Sequence, residues 1–569
     1  MSQYTFDTAS GVSMRRSRLN QGHRVKTSMR VGDLVPIDVR EVLPGDNWTT
    51  KEGHLVRLST SYLRPVMDTA FMDVYEFFVP LRLLYDETES VFGNPSPNAY
   101  VQEDLGKFPT FEQITVPEKT VGDYLGLPTN GLLPQGVSVL KFRAFALIYD
   151  VWFRNQNTIS PMLVQKGEVT ASENPNSDPW SPSNYSGKLP KVGKKNDYFT
   201  SCLPAPQKGD AVSFSLGGKA PLVFPDTVQF GGSPVYLPVR DTGGLSPMLI
   251  GLRGSTGGAY QGRGPLSVNS GSIYSPVDGE FVSSNPAYAS WGVALSNARG
   301  ENPAYADLSN LSAINVNDLR FAFQLQKMLE RDARGGGRYF EYILAHYGVR
   351  TADARMQIPE YLGGKRTPLN LQQVAQTSQG TEDSPLGSLG GYSQTLGRSG
   401  YRKAFTEHGY IFTIACIRYE HSYQQGIDKS FFRSRREDFY DPLFANVGEQ
   451  PVYRSQIYGY ANANPSGLKS HAFGYQEAWA EYRYAPDIVT GEMRSNAKNS
   501  FDVYHFADNY EGAPVLNEQF TNENGEFFRR TTAVGADADV DDFIVDFYFD
   551  SYAYRVMPVR SIPGLIDHH

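Results

Sequence analysis

Cysteine is nearly missing. Cys202 and Cys416 are the only two among 569 residues, far apart and without the paired spacing of a zinc site or a dithiol motif. A disulfide scaffold and CxxC redox chemistry are thereby excluded. Long hydrophobic runs are missing as well: no uninterrupted apolar stretch reaches transmembrane length, and the opening MSQYTFDTASGVSMRRSR lacks the apolar core of a secretory signal. The expectation is a chain made and assembled in an aqueous, cytoplasmic setting, with no membrane insertion. A large excess of one charge sign is missing too. The formal net charge of -8 is mild for this length, so the molecule as a whole carries no polyanion-binding signature and any nucleic-acid contact must be local. Neither HExxH, nor a phosphate-binding Walker loop, nor a GxSxG elbow occurs, and the nine histidines are scattered. No catalytic residue, metal or cofactor is assigned.

What is present is aromatic and β-prone. Hydrophobic residues make up 40% and charged residues 20%, enough to bury a core, while 35 Tyr and 33 Phe beside 54 Gly and 36 Pro favour many strands joined by irregular turns. Extended segments start at Leu34: LVPIDV, HLVRLSTSYLRPV and FMDVYEFFV (71–79), the last apolar on both faces and therefore read as a mostly buried strand. YIFTIACIRY (410–419) reads as a second core strand, with Ile411, Thr413, Ala415 and Ile417 on one face and Cys416 on the other as inert filler. Near the C-terminus Phe543, Val545, Phe547 and Phe549 alternate with Asp542, Asp546 and Asp550, which predicts one core face and one wet face. Helical spacing appears twice: at Leu140, Ala144, Leu147, Ile148, Val151 and Trp152, and at Leu319, Ala322, Leu325 and Leu329 after a cap at Asn317.

The first thirty residues carry Arg15, Arg16, Arg18, Arg24, Lys26 and Arg30 against the single acid Asp7, and read as a basic, flexible arm; charge alone does not separate a solvated tail from a phosphate-contacting one. From about Gly217 to Asn310 the chain is rich in Gly and Pro, poor in charge and punctuated by aromatics including Tyr236, Tyr260, Tyr274 and Trp291, which suggests an ordered, displayed insertion. RDARGGGR (331–338) follows a helix and reads as its stop, since phosphate loops place glycines ahead of a helix. The acids Asp537, Asp539, Asp541 and Asp542 read as a solvated strand edge, with calcium at a subunit contact as the alternative. In RSRREDFYDP (433–442), Arg433, Arg435 and Arg436 are candidates for intersubunit ion pairs, a solvated surface being equally open.

Several long segments resemble the major capsid protein of gokushoviruses, a branch of the microviruses (Microviridae), which are small tailless bacteriophages with single-stranded DNA. The resemblance rests on LVPIDVREVLPGD (34–46), RPVMDTAFMDVYEFFVPLRLLYD (64–86), FRAFALIYDVWFRNQN (142–157), DYFTSCLPAPQKGDAV (197–212), DLRFAFQLQKMLERDARGGGRYFEYILAHYGV (318–349), RMQIPEYLGG (355–364), EHGYIFTIACIRYEHSYQQG (407–426) and EAWAEYRYAPDIVTGEMR (477–494). It implies a mainly β fold, an eight-stranded antiparallel viral jelly roll with long inter-strand insertions containing a few helices. It also implies pentamers that build a T=1 icosahedral capsid around circular single-stranded DNA, with an insertion at the three-fold axes serving host attachment.

On that resemblance the chain divides into a basic arm (1–33) inside the shell, a first part of the core (34–216), the surface insertion (217–310) and the remainder of the core (311–569). Arg15, Arg16, Arg18, Arg24 and Lys26 would neutralise phosphates without reading bases, and interior aromatics would stack on single-stranded DNA. Tyr236, Tyr260, Tyr274 and Trp291 would face a host receptor. The implied partners are further copies of the chain, the packaged DNA, a small basic DNA-binding protein, a scaffolding protein and the receptor; the implied location is the virion. A surface carbohydrate-binding β-protein is the competing reading, and a glycoside hydrolase, which needs two carboxylates flanking a sugar cleft, a third.

Overall fold

The computed structural model describes residues 16–93, 106–212, 316–375, 389–533 and 539–560, with short strand segments between 222 and 306. The chain forms two compact units, Met1–Asp210 with Met328–His569, and Ala211–Lys327. Within the smaller unit the described strands form three short antiparallel pairs: Leu222–Val223 with Tyr305–Ala306, Val228–Phe230 with Ser233–Val235, and Ser267–Asn269 with Ser272–Tyr274.

The larger unit is a sandwich of two antiparallel sheets. Its strands are β1 (Ser17–Asn20), β2 (His23–Met29), β3 (Val35–Val42), β4 (Asn47–Leu58), β5 (Ala70–Pro80), β6 (Glu360–Pro368), β7 (Leu371–Ala375), β8 (Leu389–Ala404), β9 (Gly409–Tyr419), and, after the separate hairpin of β10 (Gln450–Tyr453) and β11 (Ala472–Gln476), β12 (Phe543–Arg555). One sheet runs β1-β12-β4-β8-β7, with β2 also paired to β12; the other runs β6-β5-β9-β3. The pairings nest: β2 with β12, β3 with β9, β4 with β8, β5 with β6. Such nesting, with the chain passing back and forth between two sheets, is the winding of a jelly roll. Among the described residues the two sheets hold six and four strands, where eight in all were expected.

Side-chain alternation assigns the faces. In β12 Phe543, Val545, Phe547 and Phe549 are buried while Ile544 and Tyr548 are exposed, as the alternating pattern predicts. Asp542 departs from it. It is buried just before the strand, accepting from the Val31 backbone N–H at 3.0 Å and from Arg529 at 3.0 Å. β5 and β9 are buried on both faces because a third layer covers them. Ile411, Ala415 and Ile417 point into the sandwich, while Phe412 and Ile414 share a core cluster with Phe142, Phe145 and Ile148 of helix α1 (Leu140–Ile148). Each of the buried Ile and Phe side chains contributes roughly 1.5–3 kcal/mol of transfer free energy. Cys416 lies on that covered face as expected, its thiol pushed up to about 12 by burial, so it stays protonated. A five-residue π turn, Tyr149–Phe153, continues α1 and rotates Trp152 off the apolar stripe to a part-exposed position.

Helix α2 (Val316–Gly335) includes Asn317, the expected cap, within its described residues. The glycine run ends α2 with Gly336 at φ +93°, but it also precedes α3 (Tyr339–Tyr347), which the reading of it purely as a stop missed. The N-terminus of α3 is already occupied: the Glu341 carboxylate accepts from the Arg338 backbone N–H at 3.1 Å and pairs with its guanidinium.

Candidate nucleic-acid interface

The N-terminal arm is strand, not free tail, where it is described. β1 and β2 lie along one edge of β12 with Arg18 opposite Tyr554, Arg24 opposite Tyr548 and Lys26 opposite Asp546. Backbone pairing imposes this: Val25 and Met29 face inward, so Arg24 and Lys26 on either side of Val25 are exposed. Arg16 is exposed just ahead of β1, and Arg15 lies outside the described residues. Arg30 serves elsewhere. It pairs with Asp539 and, at 3.1 Å, with Asp541, which Lys119 also approaches at 3.4 Å. The acidic cluster is therefore largely neutralised by internal cations and is no solvated edge at Asp541 or Asp542; Asp537 lies outside the described residues.

The outer face of the six-stranded sheet gathers more than sequence order suggested. Arg18, Arg24 and Lys26 share it with Lys51 and Arg57 of β4 and Arg398 and Arg402 of β8, all exposed. Within these strands only Asp546 and Asp550 supply carboxylates to that face. Tyrosines stand between the cations: Tyr392, Tyr548 and Tyr554 are about half exposed, and the guanidinium of Arg18 lies 3.8 Å over the Tyr552 ring while that of Arg24 lies 5.4 Å over Tyr548. The result is a broad, solvent-facing platform of fixed positive charge with ring faces between the charges. Such a surface can hold phosphates electrostatically and stack bases without selecting a sequence. β4 and β8 were not anticipated as contributors; in β4 the exposed Arg57 between buried Val56 and Leu58 was the available signal, and β8 carries none.

Other candidates fall apart from this face. Arg433 is turned inward over Tyr482 at 4.5 Å and approaches Glu481 at 3.8 Å, whereas Arg435 and Arg436 are exposed. Tyr236, Tyr260 and Trp291 lie outside the described residues, and Tyr274 closes the short strand Ser272–Tyr274. The histidines are not uniformly isolated. Buried His421 bridges Asp508 at 2.7 Å and Glu523 at 2.8 Å, with Lys194 on Asp508 at 3.0 Å. No group of three or more His, Cys, Asp or Glu with metal-holding geometry occurs among the described residues, and no described helix is long and apolar enough to cross a membrane. A cavity of about 570 Å³ beside β5 is lined by Trp152, Tyr361, Arg154, Arg334 and Arg418 among others, with no Asp or Glu in its wall. Its guanidiniums are held from behind by Asp150, Glu449 and Asp73, so it offers neither the carboxylate pair of a glycosidase nor an unpaired cation among these three.

A jelly roll with one sheet face left open and charged has the architecture that viral shell proteins use. The chain belongs to the family described as Capsid protein (F protein), whose model matches residues 8–565. It is similar to the Capsid protein VP1 of Spiroplasma virus 4, 36% identical over 99% of this chain and 97% of that one. It is similar also to those of Chlamydia phage 1 (34% identical, 98% and 97% covered) and Bdellovibrio phage phiMH2K (34%, 99% and 98%). It is thus a capsid protein of microvirus type, a structural component of the virion and not an enzyme.

Proposed function

We propose that this capsid protein assembles through pentamers into a T=1 icosahedral shell around a circular single-stranded DNA genome, with the outer face of its six-stranded sheet turned toward the DNA. The cation and tyrosine platform carries this reading: a net-acidic chain that concentrates Arg18, Arg24, Lys26, Lys51, Arg57, Arg398 and Arg402 on one sheet face has a surface suited to a polyphosphate partner. We assign Arg435 and Arg436, exposed on a mixed-charge turn, to ion pairs with a neighbouring subunit. The stretch 217–310, with Tyr236, Tyr260, Tyr274 and Trp291, is assigned to host attachment, and a small basic protein and a scaffolding protein are assigned as assembly partners.

The test is sedimentation and electron microscopy of the protein purified from lysate and treated with nuclease. Uniform icosahedral particles containing protected single-stranded DNA are expected. A stable single chain that never assembles would overturn the proposal, and empty shells that exclude DNA would overturn its genome-facing part.

A further inference from the structure

The mixed-charge turn borders a surface whose composition is unusual for a chain that ends its life alone in water. Phe439, Tyr440, Phe444, Val447 and Tyr482 are each about half exposed, and Leu443 is 88% exposed at the tip of a single 3₁₀ turn, Pro442–Phe444. At roughly 200 Å² for a fully exposed aromatic side chain, these six present on the order of 700 Å² of largely apolar surface. The largest apolar patch of a typical monomer is about 300–600 Å², and one side of a standard protein contact about 800 Å². The patch thus has the size of half an interface.

It is also held in shape. The Asp441 carboxylate accepts from the Leu443 backbone N–H at 2.9 Å, and the Trp479 indole N–H donates to the Phe444 carbonyl at 3.0 Å. Tyr440 packs edge-on against Trp479 at 5.8 Å and lies 6.0 Å from Tyr482, while Arg433 spans Phe439 and Tyr482. A fixed apolar knob loses little conformational entropy when covered, which favours binding. Its rim carries both signs, with Arg435 and Arg436 beside Glu437, all exposed. A rim of mixed sign suits a partner of similar composition better than a uniformly acidic or basic one.

We infer that this patch, centred on Leu443, is a contact between copies of the chain in the assembled shell. The inference rests on the proposed self-assembly and adds where one of its contacts lies. The test compares the full-length wild type with Leu443→Asp and Leu443→Met by sedimentation under assembling conditions. Because Leu443 is almost wholly exposed, its replacement leaves the fold intact, checked by an unchanged unfolding midpoint. Leu443→Asp is expected to lower the yield of shells at least tenfold, with Leu443→Met retaining it. Hydrogen exchange provides the second readout: amides of 439–447 are expected to exchange markedly more slowly in shells than in the unassembled protein. Shells from Leu443→Asp at wild-type yield, or exchange over 439–447 unchanged by assembly, would overturn the inference alone. A wild type that never self-associates would overturn both it and the capsid assembly on which it rests.

Discussion

Glu76 occupies a costly position, and replacing it by glutamine is expected to stabilise the protein. It lies on β5 with its side chain between the two sheets, wholly buried, opposite Thr413 of β9 and Gly363 of β6, with neither carboxylate oxygen hydrogen-bonded. Across the sandwich stands Glu52 of β4, itself buried, one oxygen bound to His54 at 2.8 Å. Burial and the nearby Glu52 charge push the Glu76 carboxyl from its ordinary 4.5 up to about 8. The folded value exceeds the unfolded one, so the contribution to stability is fully present below about pH 4.5 and is lost as pH rises toward 8. At about 1.4 kcal/mol per pH unit, the loss accumulated by pH 7 is about 3 kcal/mol. Glu76→Gln keeps the shape and has no charge to desolvate. Urea unfolding of unassembled protein, repeated from pH 5 to pH 8, should show the variant near wild type at the acid end and about 3 kcal/mol more stable at neutrality, with the wild-type slope much reduced. Equal slopes in the two proteins, or a variant less stable at pH 8, would refute the reasoning.

The His421 network should behave differently from an isolated histidine. Burial alone would lower its value, but Asp508 and Glu523 outweigh that and raise it to about 9, so its stabilisation is full below about 6.5 and disappears as pH passes 9. His421→Gln should cost about 3–5 kcal/mol at pH 7, read from the unfolding midpoint, because two buried carboxylates lose a shared cation. On the sheet platform, replacing Arg24, Lys26 and Arg398 together by serine should weaken binding of an oligothymidine by unassembled protein. It should also reduce the slope of log affinity against log salt by about 2, at roughly 0.7 per phosphate contact, measured by fluorescence anisotropy.

The sandwich was legible in the sequence wherever side chains dictate a face. The alternation at Phe543–Phe549 and the doubly apolar runs at 71–79 and 410–419 are local consequences of what covers each strand. β8 was not legible. Its glycine-rich sequence, LGGYSQTLGRSGYRKA, reads as loop, yet glycine is required at Gly397 because a Cβ there would lie 1.9 Å from the His54 ring nitrogen. The arm was misread for a related reason. Charge density marks Arg18 to Lys26 as solvent-facing, but solvent-facing residues occur equally on one face of a strand, and only the distant partner β12 decides that these form one. The platform needed four segments, 17–29, 47–58, 389–404 and 543–555, to be brought side by side, and sequence order conceals that.

The two contacts proposed for this chain differ in how they should answer to salt. The sheet platform acts through cations facing solvent, where screening shortens their reach to about 8 Å at 0.15 M salt and about 3 Å at 1 M. The patch around Leu443 acts through apolar area, which salts excluded from protein surfaces strengthen if anything. Raising sulfate should therefore loosen the genome before it loosens the shell. Particles taken stepwise to 1 M sulfate, then probed with a small nuclease-insensitive dye and by light scattering, should show changed dye access to the DNA while scattering stays constant. Scattering that collapses before dye access changes would mean that ion pairs such as those available to Arg435 and Arg436, and not the apolar patch, hold the copies together.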